Sequence, residues 1–151
     1  MRSPRVYVDT SVIGGCHDAE FAQESRALIE MARQGRAILV VSDLLLEELQ
    51  RAPREVRQVL HGLPPDSMTL VYGSSESRAL RDAYLAAGIV GQASDRDAHH
   101  VALATVGRAD MIVSWNFKHI VHFDKIRQYN AINRFQGHRE IEIYSPPEVV
   151  P

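Results

Sequence analysis

Short apolar runs recur along this chain, and most of them end in polar residues. Val6-Tyr7-Val8 stops at Asp9-Thr10-Ser11, and Ala37 to Val41 stops at Ser42. Met68 to Tyr72, Met111 to Val113 and Ile141 to Tyr144 are further runs. β-branched and aromatic residues in runs this short predict buried strands. The intervals have apolar residues three and four apart, the spacing of one helical face. Phe21 to Arg33 predicts a helix through Phe21, Ala22, Leu28, Ile29 and Ala32, with Gly35 as its stop. Ser42 is placed to cap a helix that Asp43 favours at its positive end. Pro53 either opens a new helix or kinks this one. Ser74 or Ser75 caps a helix through Ala87, and Ser94-Asp95-Arg96-Asp97 opens another to about Val106. One or two helices are expected from Lys118 to about Phe135. Gly14-Gly15 reads as a break, Gly62 to Pro65 as a loop, Gly88 to Ala93 as a connector and Gly137 as a turn.

Strands therefore alternate with helices, and the strands lack an apolar–polar alternation of their own. That predicts an α/β fold whose parallel sheet is covered on both faces. With 151 residues and no repeat or linker, one domain over 1–151 is expected. No apolar run approaches the roughly 20 residues that span a bilayer, and the first is too short for a signal-peptide core. A cytoplasmic location and no membrane partner follow as the expectation. Cys16 is the single cysteine, so an internal disulfide is excluded and a small packing role is expected. The net charge of −2 does not announce nucleic acid. The distribution changes that picture. Between Phe117 and Arg139 stand Lys118, Lys125, Arg127, Arg134 and Arg139 against Asp124 alone, so a local basic face is available.

Ligands of open parallel sheets bind at the C-terminal ends of strands. The first strand ends in Asp9 and the fourth in Ser114-Trp115-Asn116. If these strands are neighbours, Asp9 and Asn116 meet at one edge. Asp97, at a helix start, is delivered to the same end. Such oxygen-rich sets suit Mg²⁺ or Mn²⁺.

Four segments, in order, resemble the motifs of the PIN-domain family, in particular VapC toxin-like ribonucleases. The opening is Val6-Tyr7-Val8-Asp9-Thr10-Ser11, a strand followed by Asp and small hydroxyl residues. Ser42-Asp43-Leu44-Leu45-Leu46-Glu47-Glu48-Leu49 is similar to the second motif and places Glu48 on its acidic position. Asp97-Ala98-His99-His100-Val101-Ala102-Leu103-Ala104 is similar to the third, an Asp opening an Ala-rich helix. Asp110 to Asn116 resembles the fourth, a strand ending in Ser or Thr, any residue, then usually Asp; here that last residue is Asn116. The resemblance implies a three-layer α/β/α fold with a central parallel sheet. It also implies hydrolysis of RNA phosphodiesters with Mg²⁺ or Mn²⁺. On this reading Asp9, Glu48 and Asp97 contact the metal directly or through water. Asn116 supplies a carbonyl oxygen or an indirect contact, and Ser11 and Ser114 orient carboxylates or waters. Many bacterial and archaeal members are toxins held by a small antitoxin, and such domains commonly pair as homodimers.

Other readings stand beside this one. Glu47 and Glu48 are about 100° apart on a helix, so only one points fully into the site, and Glu48 is preferred. Asp95 competes with Asp97. His99 and His100 lack the spacing and cysteines of a structural zinc site, and one of them is expected to pack or hydrogen-bond beside the cleft. Arg51, Arg54 and Arg57 recur at helical spacing, usually a solvated face. Phe117, Phe123, Tyr129 and Phe135 interleave with basic residues, which permits base stacking but more commonly means core burial. A non-catalytic PIN domain that binds RNA or a protein is the alternative function, kept open by Asn116. Haloacid dehalogenase-type phosphatases want a second Asp where Ser11 stands. No Walker A loop and no G-x-G-x-x-G is present.

Overall fold

Each of the five apolar runs becomes a strand in the computed structural model, which describes residues 2–151. The strands are β1 (Arg5–Val8), β2 (Ile38–Ser42), β3 (Met68–Val71), β4 (Met111–Val113) and β5 (Glu142–Tyr144). Between them lie helices α1 (Thr10–Gly15), α2 (Ala22–Arg33), α3 (Asp43–Leu49), α4 (Arg54–Arg57), α5 (Ser75–Ala86), α6 (Asp95–Val106) and α7 (Phe123–Phe135). All four strand pairings are parallel, in the order β3-β2-β1-β4-β5. β1 is thus the central strand, flanked by β2 and β4.

Side chains alternate across a strand, so each central strand feeds two cores. Val6, Val8, Leu39, Val41 and Val113 pack on one face with Val12, Leu28, Ile29, Leu45 and Leu49. Tyr7, Val40 and Ile112 pack on the other with Leu80, Tyr84, Val101, Leu103 and Tyr129. Both faces are apolar because both are covered, which is why the runs show no polar alternation. The result is the expected three-layer α/β/α arrangement. Among the described residues, no helix is long and apolar enough to cross a membrane.

Local chemistry sets the helix boundaries. The Leu45 N–H donates to Ser42 Oγ at 3.1 Å, the cap read from the sequence. Ser74 and Ser77 exchange side-chain-to-backbone hydrogen bonds at the start of α5. Pro53 opens a separate helix.

Two expectations are corrected. Gly14-Gly15 does not break the chain but closes α1. A Cβ on Gly15 would run into Ser25 Oγ and the Trp115 indole, so close packing explains that glycine. The helical stretch expected from Lys118 begins only at Phe123. Asn116 diverts the preceding residues into turns. Its carbonyl accepts the Ile120 and Val121 N–H groups, and its side-chain Oδ1 accepts the His119 N–H at 3.0 Å.

Edge strand β5 is tied down by Asn130 of α7. The Asn130 side chain donates to the Ile141 carbonyl at 2.9 Å and accepts its N–H at 2.7 Å. Ile141 is buried, so losing Asn130 orphans two backbone groups. Asn130→Ala is expected to destabilise the fold by roughly 2–4 kcal/mol in urea unfolding.

Candidate metal centre

The parallel pairing of β1 and β4 sets Val8 opposite Val113, so the next residues, Asp9 and Ser114, emerge side by side. Asp9 is buried to 4% exposure. A carboxylate so far from water needs donors. Ser11 Oγ donates to its Oδ1 at 2.6 Å and Ser114 Oγ donates to its Oδ2 at 2.7 Å. The two hydroxyls are held in turn. Ser11 Oγ accepts the Trp115 N–H and Ser114 Oγ accepts the Asn116 N–H, both at 2.9 Å. Each Asp9 oxygen keeps lone-pair capacity for a cation.

Asp97 lies in the first turn of α6, near enough for Asp9 to act on its charge. Burial pushes its carboxyl above the usual carboxylate range, and the Asp9 charge pushes the same way. The Asn116 side chain, His119 and His100 oppose that rise without cancelling it. Asp97, rather than Asp95, is therefore the acid of this turn coupled to the sheet edge.

Glu48 has different surroundings. Its Oε1 accepts from Thr10 Oγ1 and from His100 Nε2 at 2.8 Å, and Arg96 lies 3.7 Å from Oε2. Burial alone would raise its pKa, but the His100 contact, Thr10 and Arg96 together hold it below the usual range. Glu47 points outward and pairs with Arg96 at 3.0 Å. Of the two adjacent acids, Glu48 is the one turned inward.

Behind Glu48 runs a buried chain of hydrogen bonds. His100 Nδ1 meets the Tyr7 hydroxyl at 2.6 Å, and that hydroxyl meets Ser42 Oγ at 2.8 Å. With Ser42 accepting from the Leu45 N–H, every group is satisfied if Ser42 donates to Tyr7, Tyr7 to His100 Nδ1, and His100 Nε2–H to Glu48. Burial, then the charges of Asp9, Glu48 and Asp43, keep the Tyr7 phenol protonated well above its ordinary pKa. His99 turns away and meets Ser77 Oγ at 3.1 Å, and burial followed by nearby Arg81 pulls its pKa down to about 4.

The acids expected to form one cluster therefore divide into an Asp9–Asp97 pair and a braced neighbour, Glu48. Among the described residues, no three His, Cys, Asp or Glu side chains are gathered into a ready ligand set. Asn116 is present at the edge, but its Oδ1 already accepts the His119 N–H, and its side chain acts on Asp97 by holding that pKa down. An open pair of carboxylates fits Mg²⁺ or Mn²⁺, which bind through one or two carboxylates and keep several waters. It does not fit a closed tetrahedral zinc site. Thr10, Tyr7 and Arg96 are participants that the sequence did not single out. One of His99 and His100 was expected to pack or hydrogen-bond beside the cleft, and His100, three residues after Asp97 on the same helical face, bonds Glu48 and Tyr7.

No curated protein sequence matches this chain. Among solved structures, a chain in the crystal structure of VapBC2 from Rickettsia felis bound to a DNA fragment from their promoter superposes with a TM-score of 0.56. The two are 11% identical, and the match covers 93% of this chain and 98% of that one. At that identity the likeness is one of fold. The PIN domain family profile matches residues 5–118, from the first residue of β1 past all four candidate ligands. This chain belongs to the PIN domain family, whose members are generally nucleases that use a divalent metal.

Proposed function

We propose that this protein is a Mg²⁺- or Mn²⁺-dependent endoribonuclease, the toxin of a toxin–antitoxin pair, acting in the cytoplasm with residues 1–151 as one unit. The observation that carries the reading is Asp9, a buried carboxylate held by two hydroxyls at the C-terminal edge of the sheet, with the partly dehydrated Asp97 near enough to feel its charge. When bound, a divalent cation supplies charge that activates water and neutralises the phosphate. Asp9 and Asp97 would hold the cation, with Glu48 contacting it directly or through water. Ser11 and Ser114 fix both Asp9 oxygens, so the ligand is preorganised. Asn116 steadies Asp97 and offers the second lone pair of its carbonyl oxygen. No side-chain nucleophile is required, because water supplies the attacking oxygen. A small antitoxin partner is supported by the fold likeness to a chain of the VapBC2 complex. A homodimer would set two acidic sites along one groove.

One observation favours a second reading, a non-catalytic PIN domain that binds RNA or a protein. Glu48 is already engaged by its own neighbours, and Asn116 brings no charge. Mn²⁺ titration together with cleavage of mixed RNA, with metal restored after chelation, separates the two.

Asp9→Asn and Asp97→Asn are each expected to lower cleavage by on the order of 10²-fold or more while leaving the circular dichroism spectrum intact. Full activity in either variant would remove the pair from the mechanism.

The raised pKa of Asp97 has a thermodynamic sign. The folded state binds that proton more tightly than the unfolded state, so stability falls as pH rises from the unfolded carboxylate pKa through the folded one. Without metal, Asp97→Asn should therefore raise Tm at neutral pH, whereas added Mn²⁺ should raise Tm in the parent and not in the variant. A lower metal-free Tm in Asp97→Asn would contradict the penalty that burial places on the Asp97 charge.

Asn116→Asp adds a third negative charge beside Asp9 and Asp97. Calorimetry is expected to show Mn²⁺ binding tightened by about threefold or more. Metal-free Tm should fall, because the amide donor to Asp97 becomes a like charge. Unchanged affinity would place Asn116 outside the reach of the cation.

A further inference from the structure

Next to the acidic pair stands an aromatic stack that none of the roles above uses. Phe21 stacks on Trp115 with centroids 4.3 Å apart, and Phe117 meets Trp115 edge-on at 6.3 Å. Trp115 is anchored at three points. Its indole N–H donates to Ser25 Oγ at 2.8 Å, its ring lies against Gly15, and its backbone N–H donates to Ser11 Oγ. That same Ser11 hydroxyl donates to Asp9. One serine oxygen thus joins the base of the stack to the candidate metal ligand. At the outer end Phe117 is 50% exposed, a large ring left in water, and the exposed Lys118 follows it. Phe123 and Phe135 are still more exposed at 72% and 84%, but no comparable bond ties them to the acids.

We propose that Phe117, braced by Trp115 and Phe21, is a stacking platform for an unpaired base of single-stranded RNA beside the scissile phosphate. The chemistry fits. An exposed π-face accepts any base, a neighbouring ammonium accepts the backbone, and a base paired within a duplex has no free face to offer. A polynucleotide whose phosphate lies at the Asp9–Asp97 pair brings its adjacent bases alongside the segment that follows Ser114. The anchored indole fixes where the ring stands, so the platform is preorganised. This inference rests on the ribonuclease reading and names the feature of the substrate that the same site selects.

The test uses the full chain in the Asp97→Asn background, which keeps RNA uncut. The probes are a ten-nucleotide mixed-sequence single strand and the same strand annealed to its complement. Trp115 is the chain's only tryptophan, so its emission reports directly. The single strand should change that emission, and the duplex should not. In fluorescence anisotropy, Phe117→Ala should weaken single-strand binding about fivefold or more and leave duplex binding unchanged. Phe117→Trp should keep the affinity and Phe117→Leu should lose most of it, which separates stacking from simple apolar contact. Affinity unchanged in Phe117→Ala, equal losses for single strand and duplex, or full affinity in Phe117→Leu would each overturn the platform. Failure of the underlying reading looks different. If wild-type protein binds the single strand through Phe117 but never cleaves it with Mg²⁺ or Mn²⁺, the nuclease assignment falls and the platform stands.

Discussion

A nearly dehydrated carboxylate at the end of the central strand is the constraint around which the functional edge is built. Burial takes water from both Asp9 oxygens, so hydroxyl donors must replace it. Ser114 does so because β4 pairs beside β1 in a register that carries it next to Asp9. Ser11 does so because the chain turns at once into α1. The same two hydroxyls accept the backbone N–H groups of Trp115 and Asn116. Five residues beyond two strands thus become one rigid unit. The turn after β4, the anchoring of Trp115 and the close approach of Gly15 are all tied to that unit.

The two remaining acids have been pushed apart electrostatically. Asp97 is raised chiefly by burial, with Asp9 adding to it, whereas Glu48 is met by His100, Thr10 and Arg96 and falls. Unlike environments for like groups divide their work. Asp97 gains from an arriving cation, which offsets the loss of water around its charge. Glu48 is held by its own hydrogen-bond partners and is suited to holding water or orientation. The buried Ser42–Tyr7–His100 chain makes that orientation definite, since it runs from the capped start of α3 across the sheet to the carboxylate on the same helix. The arrangement explains why Tyr7, in the middle of an apolar strand, carries a hydroxyl.

The fold likeness at 11% identity shows how little of such a domain depends on particular side chains. Apolar residues of suitable size on both sheet faces suffice for the three layers. What distinguishes one member from another sits at the strand ends, where function is grafted on the scaffold. Here those ends carry an amide where an acid is usual, a braced glutamate and an aromatic ledge.

The succession and kind of the strands along the chain, the double-faced cover of the sheet and the Ser42 cap were legible in the sequence. Each depends on periodicity or on a contact within a few residues, and such signals survive in one dimension. The preference for Glu48 over Glu47 came from the motif resemblance, and the structure turns Glu48 inward. Asp9 and Asp97 were legible because strand ends and helix starts gather at one edge of a parallel sheet. The division of the acids was not legible. Glu48 is bonded by His100 and Thr10, whose side chains meet it only after α3, α6 and the end of β1 have packed. Nor could the sequence reveal that Asn116 spends its oxygen on a turn and thereby delays the last helix to Phe123. Hydrogen bonds between distant residues depend on distances that only the closed fold sets. The chain's pattern fixed which groups arrive at the edge, and packing decided which of them touch.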